Sequence, residues 1–333
     1  MTKTDTRNVR ATLLQIRRLE KAGCEIVRLA VPDAAAAEAQ GRIKARTSVP
    51  LIADIHFDHR LALACLEGGV DGLRINPGNI GGRRRVEAVV KAARERSVPI
   101  RIGVNSGSLE KDILSRHGGA TAEAMVESAL RHIRILEDLD FRLIKVSLKA
   151  SDVSRTLRAY RLLAAACPYP FHAGITEAGL GLDGAVKSSV GLGLLLAEGL
   201  ADTIRVSLTA APELEVRVAY RILSSLGLRS RGAMVISCPT CGRSETALAG
   251  IAGEVDKALS RLDRPVTVAV MGCMVNGPGE AREADYGVAC GRGTGVLFKA
   301  GRILAKVPEA EIVPALLRLI AEGEPGIVRK DKP

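Results

Sequence analysis

The sequence predicts an α/β protein, built from a TIM-type barrel that lacks its first strand and a small α+β domain after it. Strand-like apolar runs alternate with helix-like stretches over the first two thirds of the chain. Repeated strand–helix units require parallel strands, and seven of them most resemble a (β/α)8 barrel. A glycine-bearing linker at 227–232 then precedes a differently organised segment. We therefore expect a barrel domain at 1–228 and a second domain at 229–333.

The barrel elements follow one another in a regular order. The predicted strands are 25–31, 51–56, 72–76, 100–105, 143–149, 171–177 and 203–207. The predicted helices include 8–22, 83–95, 121–139, 153–166, 185–198 and 214–226. Because a helix precedes the first visible strand, we expect the absent strand to lie upstream of Met1, which would leave two strand edges unpaired. An open doubly wound sheet is the alternative, but no GxGxxG motif follows an early strand.

The second domain is predicted as a small α+β unit. A strand runs into Cys238, a helix spans about 246–262, and a second strand runs into Cys273. A glycine-rich hairpin at 291–295 and a last helix at 312–321 complete it.

Composition narrows the classes of function. The net charge of +11 favours an anionic partner, yet the chain has no Trp, four Phe and four Tyr, too few aromatic rings for stacking unpaired bases. A small anionic substrate fits better, and we expect no nucleic-acid partner. The longest apolar run, 190–196, is too short to span a membrane. Seven cysteines without a secretory leader indicate reduced thiols and a cytoplasmic enzyme.

Polar residues recur with period two toward the carboxyl ends of the predicted strands. Period two places them on one face, which in a barrel faces the interior near the catalytic mouth. The residues are Arg28, Asp54, His56, Arg74, Asn76, Arg101, Asn105, Lys145, Ser147, Lys149, Arg205 and Ser207. Buried salt bridges are the bland explanation for any one of them, but their recurrence on at least five strands favours a site for a polyanion, most simply a diphosphate. Glu177 stands among these cations, where the alternatives are to neutralise a neighbouring arginine, to move a proton or to bind substrate hydroxyls, and we favour a polar substrate contact.

Three cysteines predict a metal site in the second domain. Cys238 and Cys241 form a CPTC turn at one strand end, and Cys273 ends another strand. Glu280 follows a sharp Gly-Pro-Gly turn and supplies a weaker, exchangeable ligand. A structural zinc knuckle with Cys290 as fourth ligand fits the same spacing, and a redox disulfide is a third possibility. Spacing alone does not decide between zinc and an iron–sulfur cluster.

Long stretches of the chain resemble the family of 4-hydroxy-3-methylbut-2-enyl diphosphate synthases. They are VPLIADIHFDHRLAL, GLRINPGNIG, VPIRIGVNSGSLEKD, KVSLKASDV, GITEAG, GAVKSSVGLGLLLAEGLADTIRVSL, CPTC and GCMVNGPGEA. The resemblance implies that Cys238, Cys241, Cys273 and Glu280 hold a [4Fe-4S] cluster in an iron–sulfur, reductase-like domain. It also implies that Glu280 is a releasable ligand. Family sequences begin some thirty residues earlier with a segment that supplies the first barrel strand, so this start is the one departure.

The resemblance also implies a reaction in isoprenoid biosynthesis. The substrate is 2-C-methyl-D-erythritol 2,4-cyclodiphosphate, and two electrons from flavodoxin or ferredoxin open its ring and remove a hydroxyl as water. The implied substrate contacts are Arg28, Asp54, His56, Arg74, Asn76, Arg101, Asn105, Lys149, Glu177, Arg205 and Ser207, with Glu177 and Glu280 as catalytic residues. A homodimer is implied, in which the barrel of one subunit faces the cluster domain of the other. The alternatives are a zinc-knuckle barrel enzyme acting on sugar phosphates and a basic RNA-binding module.

Overall fold

A computed structural model describes residues 1–244, 246–260, 262–274, 279 and 281–323. The chain divides into two compact units, Met1–Arg229 and Ser230–Pro333. In the described ranges no helix combines the length and the apolar character that crossing a bilayer would take.

Parallel strands form the centre of the first unit. The strands are β1 (Val27–Ala30), β2 (Leu51–Asp54), β3 (Gly72–Ile75), β4 (Ile100–Asn105), β5 (Ile144–Lys149), β6 (His172–Ala173) and β7 (Thr203–Ile204). β1 to β5 form one sheet in sequential order, β6 pairs with β7, and a bridge between Val146 and Phe171 joins β5 to β6. The predicted parallel strand–helix alternation is confirmed. A closed barrel is not formed by the strands of the described chain.

Amphipathic helices cover the outside of these strands. They are α1 (Val9–Lys21), α2 (Ala34–Lys44), α3 (His59–Glu67), α4 (Arg83–Glu95), α5 (Lys111–His117), α6 (Ala122–Glu137), α7 (Val153–Ala164), α8 (Gly181–Ala197) and α9 (Pro212–Ser225). Asn8, Asp33, Thr121 and Asp152 each accept a backbone N–H at a helix start, which satisfies donors that the helix itself leaves unpaired.

The helical layer closes even though the strand layer does not. α1 packs against α9, the helix that follows the last strand of the unit. Arg18 Nε lies 3.0 Å from Glu213 Oε1, and the Tyr220 hydroxyl donates to the Gly23 carbonyl at 3.0 Å. The first and last helices of the unit therefore pack side by side.

Residues at the start of the chain lie along the outer edge of β1. Thr2 N–H donates to the Arg28 carbonyl at 3.0 Å, and the Thr6 hydroxyl donates to the Ala30 carbonyl at 2.7 Å. Lys3 Nζ donates to the Leu208 carbonyl beyond β7 at 3.0 Å. The expectation that this edge is fully unpaired is therefore wrong, because these residues satisfy part of its hydrogen-bonding capacity.

The second unit is a mixed sheet with helices packed against it. Its elements are β8 (Ala233–Ser237), α10 (Leu248–Leu259), β9 (Val266–Met271), β10 (Tyr286–Gly291), β11 (Thr294–Lys299), β12 (Arg302–Pro308) and α11 (Ile312–Glu322). The strand order is β12-β11-β10-β9-β8, with β8, β9 and β10 parallel and the β10–β11–β12 meander antiparallel. β12 was not predicted, because nearly all of it is exposed and it carries no alternation of apolar and polar residues.

Candidate active site

Four charged residues occupy one row across β2 to β5. Asp54 is paired with Arg74, Arg74 with Arg101, and Arg101 with Lys145. Residues aligned in a parallel register point to the same face of the sheet, so these side chains share the inner face. The next row on this face that carries charge, four residues further along, pairs Asn105 with Lys149. The period-two interpretation of these strands is thus supported by their register.

The depth of these residues differs from the expectation. All of them were expected toward the carboxyl ends of their strands, but Arg28, Arg101 and Lys145 hold the second positions of β1, β4 and β5. β4 and β5 extend several residues beyond these positions. The charged residues therefore do not all lie at one end of the strands. Asn105 and Lys149, by contrast, are the last residues of their strands, as expected.

Asp54 is the centre of the charged group. Its carboxylate oxygens lie 3.3 Å from Arg74 Nη1, 3.5 Å from Arg28 Nε and 3.8 Å from His56 Nε2. Burial opposes ionisation of Asp54, but the charges of Arg28 and Arg74 outweigh it, so its pKa lies below the ordinary value. Asp54 therefore stays ionised and orients the cations around it.

The cations outnumber the carboxylates that face them. Burial, with the charge of Arg28, lowers the pKa of Arg101 to about 9, which still leaves it charged at neutral pH. Burial and the neighbouring arginines hold the pKa of Lys149 well below its usual range. Lys149 Nζ and the Nε atoms of Arg101 and Arg205 have no hydrogen-bond partner in the described part of the chain. Buried donors of this kind are normally satisfied, so the group has the character of an anion site.

Gly103 gives Arg74 its position. A Cβ at Gly103 would lie 2.5 Å from Arg74 Nε, so a larger residue would displace the guanidinium. Arg74 Nη2 donates to the Gly103 carbonyl at 2.8 Å, and Gly103 N–H donates to Asn76 Oδ1 at 3.0 Å. Gly103 on β4 thus positions two predicted substrate contacts, Arg74 on β3 and Asn76 directly after β3.

Other predicted contacts lie further from this row. His56 is exposed and in hydrogen-bonding distance of Arg74, with Nδ1 3.1 Å from Nη1. Glu177 is exposed and adopts a φ of 51°, a conformation costly for a residue with a side chain. In the described residues no ion pair joins Glu177 to the cations, so it does not neutralise a neighbouring arginine. Arg205 and Ser207 are half-buried at and after the end of β7.

Two residues of the interior were missed in the sequence. His172 was set aside as an isolated histidine, but it lies at the start of β6, where its Nδ1 is 3.0 Å from the Thr203 hydroxyl. Burial and the charge of Lys149 hold its pKa well below the usual range. Glu215 on α9 is buried and accepts from Leu208 N–H at 3.0 Å. Its negative charge opposes the lowering of the pKa of Arg28 and Arg205 by burial. A strand pattern cannot reveal this effect, because Glu215 lies on a helix.

A cavity of about 520 Å³ adjoins the same cations from the amino-terminal side of the strands. Its polar lining includes Arg28, Arg101, Lys145, His172 and Arg205. The charged interior is therefore accessible to a small polar molecule.

The three predicted cysteine ligands lie beside one end of the second sheet. Cys238 directly follows β8, which pairs in parallel with β9, and Cys273 follows β9. Cys238 Sγ accepts Gly272 N–H at 3.3 Å. Hydrogen bonds from Arg243 lower the pKa of Cys241, whereas the neighbouring Cys273 works against that shift. Glu280, the predicted fourth ligand, lies outside the described residues.

The donor set around these cysteines fits an iron–sulfur cluster. Thiolates are the ordinary ligands of such a cluster, and backbone N–H donors to sulfur adjust its reduction potential. A Cβ at Gly272 would lie 3.3 Å from Cys238 Sγ, so the glycine leaves room beside the sulfur. Cys290, the alternative fourth ligand of a zinc site, is fully buried in the apolar core of the second unit. In the described ranges no three metal-binding side chains come close enough to share one ion.

Comparison with known proteins is consistent with this division of the chain. The GcpE TIM-barrel domain matches residues 1–220, and the GcpE protein C-terminal domain matches residues 234–322. A 4-hydroxy-3-methylbut-2-en-1-yl diphosphate synthase (flavodoxin) of Geobacter sulfurreducens is 62% identical over 330 residues, 99% of this chain and 93% of that protein. The synthase of the same name from Thermodesulfovibrio yellowstonii is 58% identical over 96% of this chain and 92% of its own length.

Solved structures resemble the chain more distantly. The dihydropteroate synthase of Yersinia pestis is 11% identical, covers 66% of this chain and 90% of its own, and has a TM-score of 0.46. The family models and the relatives support neither the zinc-knuckle nor the RNA-binding alternative. With the two domain models together spanning most of its length, the chain belongs to the GcpE family.

Proposed function

We propose that this chain is an oxidoreductase that converts 2-C-methyl-D-erythritol 2,4-cyclodiphosphate to 4-hydroxy-3-methylbut-2-enyl diphosphate in isoprenoid biosynthesis. Two electrons and two protons enter, one carbon–oxygen bond of the ring breaks, and a neighbouring hydroxyl leaves as water. A carbon–carbon double bond forms between the two carbons that lose oxygen. The names of the relatives, at 58–62% identity over nearly the whole chain, support this assignment.

One observation carries the proposal: Lys149 is buried without a hydrogen-bond partner among the described residues, in the field of several arginines. A buried ammonium costs free energy unless an anion compensates it. A cyclic diphosphate brings two negative charges into this interior. A binding site for this anionic substrate accounts for the excess of fixed cations over carboxylates.

Different residues serve different parts of the substrate. Arg and Lys side chains suit phosphate oxygens, because their hydrogen bonds to an anion are charge-assisted. The cationic set is Arg28, Arg74, Arg101, Lys149 and Arg205. Neutral and acidic groups suit the hydroxyls and the orientation of the ring. This second set is Asp54, His56, Asn76, Asn105, Glu177 and Ser207.

The cluster belongs to the second unit. Cys238, Cys241 and Cys273 would hold a [4Fe-4S] cluster, with Glu280 as the fourth, exchangeable ligand. When bound, the cluster would supply electrons one at a time to the substrate. The Gly272 N–H stabilises the negative charge on Cys238 Sγ. Glu177, whose carboxylate is exposed, is the group that we assign to hold or move a proton at the substrate.

Three further properties accompany this reaction. Flavodoxin is the electron donor that the names of the relatives indicate, and ferredoxin is the other donor expected for such an enzyme. We expect a homodimer acting in the cytoplasm. Analytical ultracentrifugation of the purified protein checks the dimer, and a monomer that retains full activity would contradict it.

Anaerobic purification followed by iron and sulfide analysis and a turnover assay tests the proposal. We expect about four irons and four sulfides per chain. We also expect a brown protein and conversion of the cyclic diphosphate with reduced flavodoxin. A colourless protein with one zinc per chain and no turnover would instead favour the zinc-knuckle alternative.

A further inference from the structure

Two loops at the carboxyl ends of β3 and β4 meet on one buried histidine. His132, on α6, is 3% exposed. Its Nδ1 accepts the Gly78 N–H at 3.2 Å, in the short 3-10 helix that follows β3. Its Nε2 lies 3.3 Å from Glu110 Oε1, at the start of α5 after β4. One imidazole therefore contacts the loops that leave two neighbouring strands.

The contacts determine the protonation of His132. Because a backbone N–H donates to Nδ1, that nitrogen carries no proton, and the proton of the neutral ring lies on Nε2, facing Glu110. Burial lowers the pKa of His132, and Arg131 acts in the same direction while Glu110 opposes it. The Gly78 N–H thus fixes one tautomer of the neutral ring.

The packing at Gly78 is as specific as the hydrogen bond. A Cβ at position 78 would lie 2.8 Å from His132 Cε1, closer than real carbon contacts allow. The imidazole thus rests directly on the loop backbone. A glycine at position 78 permits this approach, and the histidine in turn fixes the loop.

Each of the two loops begins at a residue that we assign to substrate binding. Asn76 accepts Asn79 N–H through its carbonyl at 2.9 Å, so the turn that contains Gly78 starts at Asn76. Asn76 Oδ1 also accepts Gly103 N–H at 3.0 Å, which ties the same residue to β4. On β4, Asn105 is the last strand residue before the loop that leads to Glu110.

We propose that His132 is a positioning residue, which sets Asn76 and Asn105 for the substrate by holding the Gly78 turn and Glu110 against one imidazole. The inference rests on the proposed function, because it concerns how the loops present these amides to the cyclic diphosphate. His132 itself does not touch the interior row of charges. Its effect is therefore on the affinity for substrate, not on the redox step.

Three variants separate the hydrogen bond from the volume of the ring. His132→Phe removes the acceptor and keeps a ring, whereas His132→Asn keeps an acceptor near the place of Nδ1. His117→Phe is the matched control, since His117 lies on the neighbouring α5 and pairs on the surface with Glu127 at 2.7 Å. Calorimetric titration with the cyclic diphosphate, without reductant, measures affinity apart from turnover.

We expect His132→Phe to raise the Kd about tenfold, which is the effect of leaving one buried donor unpaired. The Asn variant should stay within about threefold of the wild type, the control should be unchanged, and kcat should change less than KM in the two His132 variants. A Phe variant that binds like the wild type, or an Asn variant as impaired as Phe, would overturn the role of the hydrogen bond.

Hydrogen–deuterium exchange separates this inference from the proposed function. In substrate-free protein, peptides covering 77–80 and 106–110 should exchange faster in His132→Phe than in the wild type and in His117→Phe. Unchanged exchange would refute the claim that His132 holds these loops, whatever the substrate is. A further outcome is that the wild type neither binds nor converts the cyclic diphosphate while the exchange difference between it and His132→Phe is still seen. That result would refute the proposed function and the substrate-positioning role, but not the claim that His132 holds the two loops.

Discussion

The barrel unit and the second unit assemble their polar groups in different ways. In the barrel unit, strand register aligns the charged residues, and protein groups hold them: Asp54 lies 3.3 Å from Arg74, and Asn76 accepts from Gly103. In the second unit, the contacts that the described residues show at the cysteine sulfurs include the Gly272 N–H on Cys238 and Arg243 on Cys241. The proposed substrate site is thus held by contacts among its own residues, whereas the cysteines contact loop residues, and a bound cluster would link them to one another.

The difference implies that the two functions can be separated by mutation. A change at the cysteines should abolish electron transfer and leave substrate affinity intact. A change in the row of cations should weaken substrate binding and leave the iron content intact. The following predictions test this separation, beginning with the largest expected effect.

Cys273→Ser should have the largest effect. Loss of one thiolate should remove the cluster and lower turnover by on the order of a hundredfold or more. The affinity for the cyclic diphosphate should stay within about threefold of the wild type, because the barrel unit holds its own site. Iron analysis, visible absorption and calorimetry measure the three quantities. Cys167→Ser, a change at a half-buried thiol of the barrel unit, is the control and should keep its iron.

Arg101→Met tests the opposite half of the comparison. Removing this buried guanidinium should raise the Kd for the cyclic diphosphate by about 10- to 100-fold, the usual effect of losing a hydrogen bond to a charged group. Iron and sulfide content should not change. Arg10→Met, on the exposed face of α1, is the matched control and should bind normally. An Arg101→Met protein with wild-type affinity would remove this residue from the substrate site.

Gly103→Ala tests how tightly the charged row is packed. The new methyl group would lie 2.5 Å from Arg74 Nε, so the buried guanidinium must move. We expect a loss of about 1–3 kcal/mol in the free energy of unfolding, measured by urea denaturation. Gly107→Ala, in the adjoining loop with no heavy atom within 4 Å of the added carbon, should change stability by less than about 0.5 kcal/mol. Equal stability of the two variants would contradict this packing.

Lys149 predicts a pH dependence of substrate affinity. Burial lowers its pKa in the free protein, and a bound dianion would raise that pKa again, so binding takes up a proton between the two values. Affinity should therefore fall as the pH rises above the pKa of the free protein, by no more than about tenfold per pH unit. Calorimetry in buffers of different ionisation enthalpy measures the uptake. Lys149→Met should abolish it, and unchanged uptake in that variant would assign the proton to another group.

Much of the fold could be predicted from local pattern. Parallel strands buried on both faces read as apolar runs, and period two correctly placed Asp54, Arg74 and Arg101 on one face. The alternation of strands and helices survived even where β6 and β7 are only two residues long. Depth along the strands was less predictable, because strand ends depend on pairing with neighbours and not on the residues alone.

The rest of the candidate site depends on contacts between distant residues. His172 stands alone in the sequence, and its place among the cations follows from the pairing of β6 with β7. Glu215 reaches Leu208 N–H from a helix, where its spacing looks like an ordinary amphipathic face. His132 contacts Gly78 across 54 positions of the chain. None of these relations is encoded in a local period.

The most direct test of the central claim is an anaerobic crystal structure with the cyclic diphosphate bound. We predict phosphate oxygens within about 3 Å of nitrogen atoms of Arg74, Arg101 and Lys149. A diphosphate bound elsewhere, with these three side chains still unliganded, would contradict the assignment of the charged row as the substrate site.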